Sequence, residues 1–216
     1  MDSYDENFYT ILGLDPGNNL GIGVLQVSTE TNEILGVTSQ TLVLDKYVED
    51  ETYNVMLARV QKLHNVVTHL NTIYQPLVVS LEAAFMNSRF PKSVIQLSQY
   101  VNTIELASRL SNPWCRILKY PPKYIKSVVG AGGTADKNDM KNNLLKIPEI
   151  SNKIDLNLLS EHAIDSLSIA YVTYKELQLN PHYLISLPFW LKGMEVYFYL
   201  LLRIKRLTIL GSNTYA

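Results

Sequence analysis

The chain has 216 residues, of which 47% are apolar and 18% charged. That length can bury one full core, and the balance is that of a folded globular protein, which sets aside intrinsic disorder. The formal net charge of −1 argues at first against a polyanion partner, and the single Cys115 excludes an internal disulfide and a cysteine-based zinc cluster.

Residues 1–7 are acidic and polar, and read as neither a secretory signal nor a mitochondrial presequence. Residues 8–14, Phe-Tyr-Thr-Ile-Leu-Gly-Leu, predict a central strand that ends on Asp15 and turns at Pro16-Gly17. Residues 21–28 and 33–44 predict two more strands, with Thr31-Asn32 as the turn between them. Three strands on short turns predict an antiparallel meander. Val55, Val60, Leu63, Val67, Leu70 and Tyr74 repeat at helical spacing, so 50–74 predicts a helix that Pro76 stops. The apolar run 77–81 then predicts a buried strand ending on Glu82. A second helix is expected over 91–110, from Pro91 to the Asn112-Pro113 stop. Residues 114–118 predict a fifth strand. Short helices follow Pro121-Pro122, interrupted by the glycine-rich loop 130–133. The last predicted helix, 160–178, has Ser160 as its N-cap and an inner face of Ala163, Leu167, Ala170, Tyr171 and Tyr174.

Beyond it lies an apolar tail, interrupted by Lys192, Glu195 and the cluster Arg203, Lys205 and Arg206. Its longest stretch without Asp, Glu, Lys or Arg, 177–191, contains Pro181 and Pro188 and falls short of the ~20 apolar residues a spanning helix needs. The expected organisation is a domain over 1–180 and an extension over 181–216. The extension is read as an apolar helical segment packed on the body. The alternative is a surface for a partner, a second subunit or a membrane interface.

The order of elements predicts an α/β fold with a partly antiparallel sheet. If the strands ending on Asp15 and Glu82 are parallel neighbours, both acids fall at one sheet edge, where ligands of such folds bind. The last helix need only cross that edge to deliver His162 and Asp165, three residues apart on one helix face. Carboxylates at the ends of core strands suffer a desolvation penalty of several kcal/mol if left unpaired. Divalent cations would offset it, and that chemistry points to phosphate. Gly17, Gly21 and Gly23 are read as allowing a tight turn and the approach of a phosphate, with a plain hairpin turn as the alternative.

The charge is unevenly spread. Residues 1–88 hold 3 Lys/Arg against 11 Asp/Glu, residues 89–146 hold 10 against 3, and residues 147–216 hold 6 against 6. The basic middle third is the pattern expected of a localised polyanion footprint, although a solvated basic face would look alike.

Four ordered blocks carry a resemblance. They are ILGLDPG with Asp15, LEAAFMN with Glu82, YPPKYIKSVVGAGGTADK over 120–137, and HAIDSLSIA with His162 and Asp165. Over roughly residues 8–178 the chain resembles the RuvC-type Holliday junction resolvases. The resemblance implies a ribonuclease-H-like fold, with a five-stranded mixed sheet flanked by helices. It implies a catalytic and metal site made of Asp15, Glu82, His162 and Asp165. Two Mg²⁺ ions, for which Mn²⁺ substitutes, are expected there. His162 either ligates metal, or orients or deprotonates water. The resemblance further implies cleavage of four-way DNA junctions to 5′-phosphate and 3′-hydroxyl nicks, and a homodimer matching the junction's two-fold symmetry. Val94, Leu97, Val101 and Ile104 are the expected dimer stripe. Phe85 matches an aromatic placed against junction bases, with core packing as the alternative. Lys126 and Lys137 match phosphate-facing lysines, and Arg89 and Lys123 are weaker DNA-backbone candidates.

The implied setting is the cytoplasm of a bacterial or phage-infected cell, with an organelle as the alternative. The competing readings are another ribonuclease-H-like nuclease acting on RNA, flaps or other branched DNA, an ATPase of the actin-like superfold, and a scaffold without chemistry.

Overall fold

The structure, a computed structural model, describes residues 8–44, 55–83, 91–130, 132 and 137–180, with the backbone alone at 91, 137 and 138. Phe85, Arg89 and the tail 181–216 lie outside the described residues, as does the side chain of Lys137.

Five strands form one mixed sheet in the order β3-β2-β1-β4-β5. They are β1 (Phe8–Asp15), β2 (Asn19–Ser28), β3 (Ile34–Val43), β4 (Val78–Glu82) and β5 (Arg116–Tyr120). The first three make the expected antiparallel meander, with Asn32 taking the left-handed conformation (φ 58°) in its second turn. β1 also pairs with β4 in parallel, and β4 with β5. Strands β1 and β4 are central and covered on both faces, which accounts for their near-continuous apolar sequences.

The helices are α1 (Val55–Tyr74), α2 (Pro91–Ser111), α3 (Pro122–Val128), α4 (Lys137–Leu144), α5 (Pro148–Ser151) and α6 (Glu161–Leu179). Leu12, Leu14, Leu20, Ile22, Val24, Val79 and Leu81 face α1 and α2. They form the main core with Leu63, Val67, Leu70, Tyr100 and Ile104. Strand side chains alternate between faces, so Gly13, Asp15, Gly21, Gly23, Ser80 and Glu82 face the opposite side. α6 covers β1 and β2 there. Its buried stripe includes all five expected inner-face residues, and Ser160 caps it by accepting from the Ala163 amide at 3.3 Å. Among the described residues, no helix is long and apolar enough to cross a membrane.

Two expectations shift. The fifth strand begins at Arg116, not at 114, because Trp114 and Cys115 lie in a turn closed by the Cys115 amide on the Asn112 carbonyl. Pairing with β4 then runs on through Lys119 to Tyr120, since an edge strand accepts charged side chains on its open side. On α2, Val101 and Ile104 are spent in the main core, so of the expected dimer stripe Val94 and Leu97 alone stay partly exposed. The apolar residues that α2 leaves exposed are Ile95, Leu106 and Leu110.

Candidate active site

Register sets the two strand-end acids side by side. Leu14 pairs with Leu81 in the parallel β1–β4 ladder, so Asp15 and Glu82 are the next residues of neighbouring strands. Strands stand about 4.8 Å apart, and the shared parity sends both carboxylates to the α6 face. Both acids are half-buried.

α6 brings the rest. Its backbone runs directly over glycines of β1 and β2. A Cβ on Gly21 would collide with the carbonyl of His162, and one on Gly13 with that of Ser166. One on Gly23 would stand 2.7 Å from the Leu167 amide nitrogen. Gly21 and Gly23 therefore serve helix approach and not the approach of a phosphate, a correction to the sequence reading. Gly17 alone of the three has ordinary space around it. The helix contributes small residues in return, Ala163, Ser166 and Ala170, all buried. Strand β3 fixes its first turn. The Ser39 hydroxyl donates to the Ala163 carbonyl at 2.7 Å, and the Thr41 and Ser160 hydroxyls meet at 2.5 Å.

This docking carries His162 onto Asp15. The imidazole Nδ1 lies 2.8 Å from Asp15 Oδ2. An ionised carboxylate only accepts, so Nδ1 carries the proton and donates it, and in the neutral ring Nε2 is then an acceptor. The Asn19 amide nitrogen stands 3.5 Å from that Nε2. A carboxylate holding the far nitrogen of a histidine is the usual way to aim the near one at a metal or a water.

Asp165 reaches the same edge from the next turn of α6. It lines a cavity of about 500 Å³ with Glu82, Pro122, Ile125, Lys126, Met140 and Ile169. Burial, then the negative charges of Asp15 and Asp165, push the Glu82 carboxyl up to about 7, and Lys126 partly counters them. The Glu82 carboxyl thus feels the charge of both other acids across this edge. A larger cavity of about 650 Å³ lies between β3 and α1, but among the described residues no carboxylate lines it.

Hard oxygen donors with one imidazole suit Mg²⁺ or Mn²⁺. Among the described residues, no three acidic, histidine or cysteine side chains are already closed around a single point. The edge is an open donor set, with Asp15 Oδ2 held by His162, and the raised Glu82 carboxyl is the feature a cation would relieve. On that ground the residues fit a divalent metal.

Of the proposed DNA contacts, Lys126 is half-buried in the wall of the acidic cavity and Lys123 is exposed one turn earlier on α3. Lys137 opens α4, on the far side of the glycine loop. Sequence reasoning missed Gly13, although a glycine inside a strand marks a close backbone approach. It also missed Ser39, Thr41 and Asn19, ordinary polar residues that nothing local distinguishes.

Residues 11–173 match the family model described as crossover junction endodeoxyribonuclease RuvC. A curated protein of that name from Actinobacillus succinogenes is 28% identical over 161 residues, covering 74% of this chain and 76% of its own length. Another, from Rhodospirillum rubrum, is 32% identical over 127 residues, covering 58% and 69%. Among solved structures, Thermus thermophilus RuvC in complex with Holliday junction substrate superposes with a TM-score of 0.60 at 16% identity, over 79% of this chain and 96% of that one. The yeast mitochondrial Holliday junction resolvase Ydc2 gives 0.55 at 13% identity, over 81% and 82%. At such identities the structures speak for the fold, the ribonuclease-H-like sheet flanked by helices.

Proposed function

The chain belongs to the RuvC family of crossover junction endodeoxyribonucleases, and from that premise we propose that it resolves four-way DNA junctions by phosphodiester hydrolysis at the edge formed by Asp15, Glu82, His162 and Asp165. One observation carries the assignment of residues. The Glu82 carboxyl is driven up to about 7 by burial and by Asp15 and Asp165, beside the 2.8 Å contact of His162 on Asp15, and this supports a shared site. Perturbed acids clustered at a cavity mark functional sites.

The family is metal-dependent, and Asp15, Glu82, Asp165 and His162 would hold the ions, which we take to be two Mg²⁺ with Mn²⁺ able to substitute. When bound, such ions supply neutralisation of the phosphate charge and activation of water. The chain's own residues do the rest. Asp15 fixes the His162 ring through Nδ1, which leaves Nε2, with the Asn19 amide nitrogen 3.5 Å away, as the atom to accept a proton or a ligand bond. Hydrolysis adds the water oxygen to phosphorus and breaks the bond to the 3′ oxygen. It leaves a 5′-phosphate and a 3′-hydroxyl, a nick that can be sealed. Lys126 and Lys123 of α3 and Lys137 of α4 are proposed to hold the DNA backbone, which such cations do without reading sequence. Phe85 is proposed to stack on a base at the opened crossover, and Arg89 to contact backbone phosphate.

A two-fold junction needs paired cuts, so a homodimer is part of the proposal. The exposed Ile95, Leu106 and Leu110 of α2 are a better candidate surface than the core-bound Val101 and Ile104. The apolar extension 181–216 is proposed to pack on the body or to meet a partner. The setting is proposed to be the cytoplasm of a bacterial or phage-infected cell.

The test is Mg²⁺-dependent nicking of a synthetic mobile four-way junction, beside linear duplex, flap and RNA–DNA hybrid. Selective nicking of the junction at paired positions supports the reading. Equal cutting of hybrid or flap assigns a different substrate to the same site.

A further inference from the structure

The short turn after Asp15 is held by a hydrogen-bonded ring that reaches it from α2. The exposed Asn18 turns its side-chain oxygen inward. It accepts from the Tyr100 hydroxyl at 2.7 Å and from the Gln96 amide at 2.7 Å. Gln96 also donates to the Tyr100 oxygen at 2.9 Å, which closes the ring. The Asn18 backbone carbonyl takes the Leu44 amide at 2.8 Å, so the end of β3 grips the same residue from the other side. With Pro16, Gly17, Asn19, Ser93, Leu97 and His162, these groups line a cavity of about 370 Å³ against the site.

Tyr100 is the informative member. It is only 1% exposed and its ring is part of the main core. Phenylalanine would fill that space as well and would need no partner for a hydroxyl. The chain instead carries a phenol whose one polar atom crosses out of the core to a surface turn.

We propose that Asn18, Tyr100 and Gln96 act as positioning residues that lock the Asp15–Asn19 turn to α2, and so hold Asp15 and Asn19 on the two nitrogens of His162. The inference rests on the proposed role of Asp15 and His162. None of the three touches the reacting atoms. Their effect comes through the placement of the turn, where a shift of ~1 Å can cost up to about 10²-fold in rate.

The test compares Tyr100→Phe, Asn18→Ala, the double variant and Asn18→Asp in the full chain. Asn18→Asp keeps an acceptor for both donors. Single-turnover nicking of a junction in Mg²⁺, junction affinity without metal, and the thermal midpoint are measured for each. NMR of the metal-free protein follows the Nδ1 proton of His162, assigned by its loss in His162→Gln. The expected result is a nicking rate about tenfold lower in Tyr100→Phe and Asn18→Ala, with affinity within about twofold. The double variant is no slower than either single one, because the ring acts as a unit. Asn18→Asp regains most of the rate, and the His162 Nδ1 proton exchanges faster in both defective variants. An unchanged rate and unchanged proton exchange in Asn18→Ala overturn the proposal, as does a loss confined to junction affinity. If Tyr100→Phe does not fold, the surface variant Asn18→Ala carries the decision alone. Wild-type protein that nicks no branched DNA would sink the functional reading, while the NMR comparison would still decide whether the ring holds His162.

Discussion

Gly21 lies directly beneath the carbonyl of His162, with no room for a methyl group between strand and helix. The contact is backbone on backbone, so neither side can yield by rotating a side chain.

Gly21→Ala is therefore expected to lift the first turns of α6 and carry His162 off Asp15. Overpacking of this kind costs typically 1–3 kcal/mol, and backbone as the obstacle puts this case at or above the top of that range. Gly23→Ala should behave alike, because the Leu167 amide blocks it at 2.7 Å. Gly17→Ala, with its nearest contact at 3.4 Å, should stay close to wild type. Thermal unfolding of the three variants checks the ranking. A Gly21→Ala protein as stable as Gly17→Ala would contradict the docking described.

Asp15→Asn should abolish nicking and leave junction binding largely intact. The amide offers one acceptor oxygen and no charge, so it neither neutralises a cation nor holds the His162 proton as firmly. A fall of at least about 10³-fold in nicking rate is expected, the scale seen when one catalytic group is removed from such a set. Parallel cleavage and gel-shift titrations separate the two effects. Full activity in the variant would reject the site.

Glu82 gives a pH signature in the metal-free protein. Its carboxyl rises from the ordinary 4.5 to about 7 on folding, so the folded state holds the proton more tightly than the unfolded one. That contribution is complete below the unfolded value and is lost as pH climbs through about 7. The loss is bounded at roughly 3 kcal/mol. The thermal midpoint should fall between pH 5 and 8, and Glu82→Gln should flatten the slope. A divalent cation favours the ionised form, so stabilisation by Mg²⁺ should be larger at pH 8 than at pH 6. Equal slopes for wild type and Glu82→Gln would show that another group sets the pH dependence.

Lys126→Ala should do two things that Lys123→Ala does not. Lys126 partly counters the upward push on Glu82, so its removal moves the loss of apo stability to higher pH. It should also slow nicking beyond the binding defect. Lys123→Ala, exposed on the same helix, should only weaken junction binding and lower the salt dependence by about one ion. Binding titrations over a range of NaCl concentrations, with thermal scans against pH, resolve the pair.

The strands and their site edge were legible because their signals are local. An apolar run that ends on Asp15, and another that ends on Glu82, each announce a buried strand with a charge at its tip. The α6 face declared itself through the spacing of Ala163, Leu167, Ala170 and Tyr174, and Ser160 marked its start. What the sequence hid depends on pairing between distant elements. Gly21 and Gly23 look the same whether they admit a ligand or a helix, and only the docking of α6 over β2 tells which. The α2 stripe misled for a similar reason. A helix that packs on both the sheet and α1 buries two rows, and Val101 and Ile104 belong to rows already used. Tyr100 and Asn18, 82 positions apart, carry no local sign of their bond.

Because the first half of α6 passes over three β1 and β2 positions without side chains, its depth there has no adjustable spacer from those two strands. Over those glycines, natural drift or directed evolution can retune the pitch of that helix from its own face, at Ala163, Ser166 and Ala170, or through the Ser39 and Thr41 bonds from β3. Variation that reshapes cleavage while sparing the fold should therefore accumulate in the helix or in β3 and leave the glycine bed untouched.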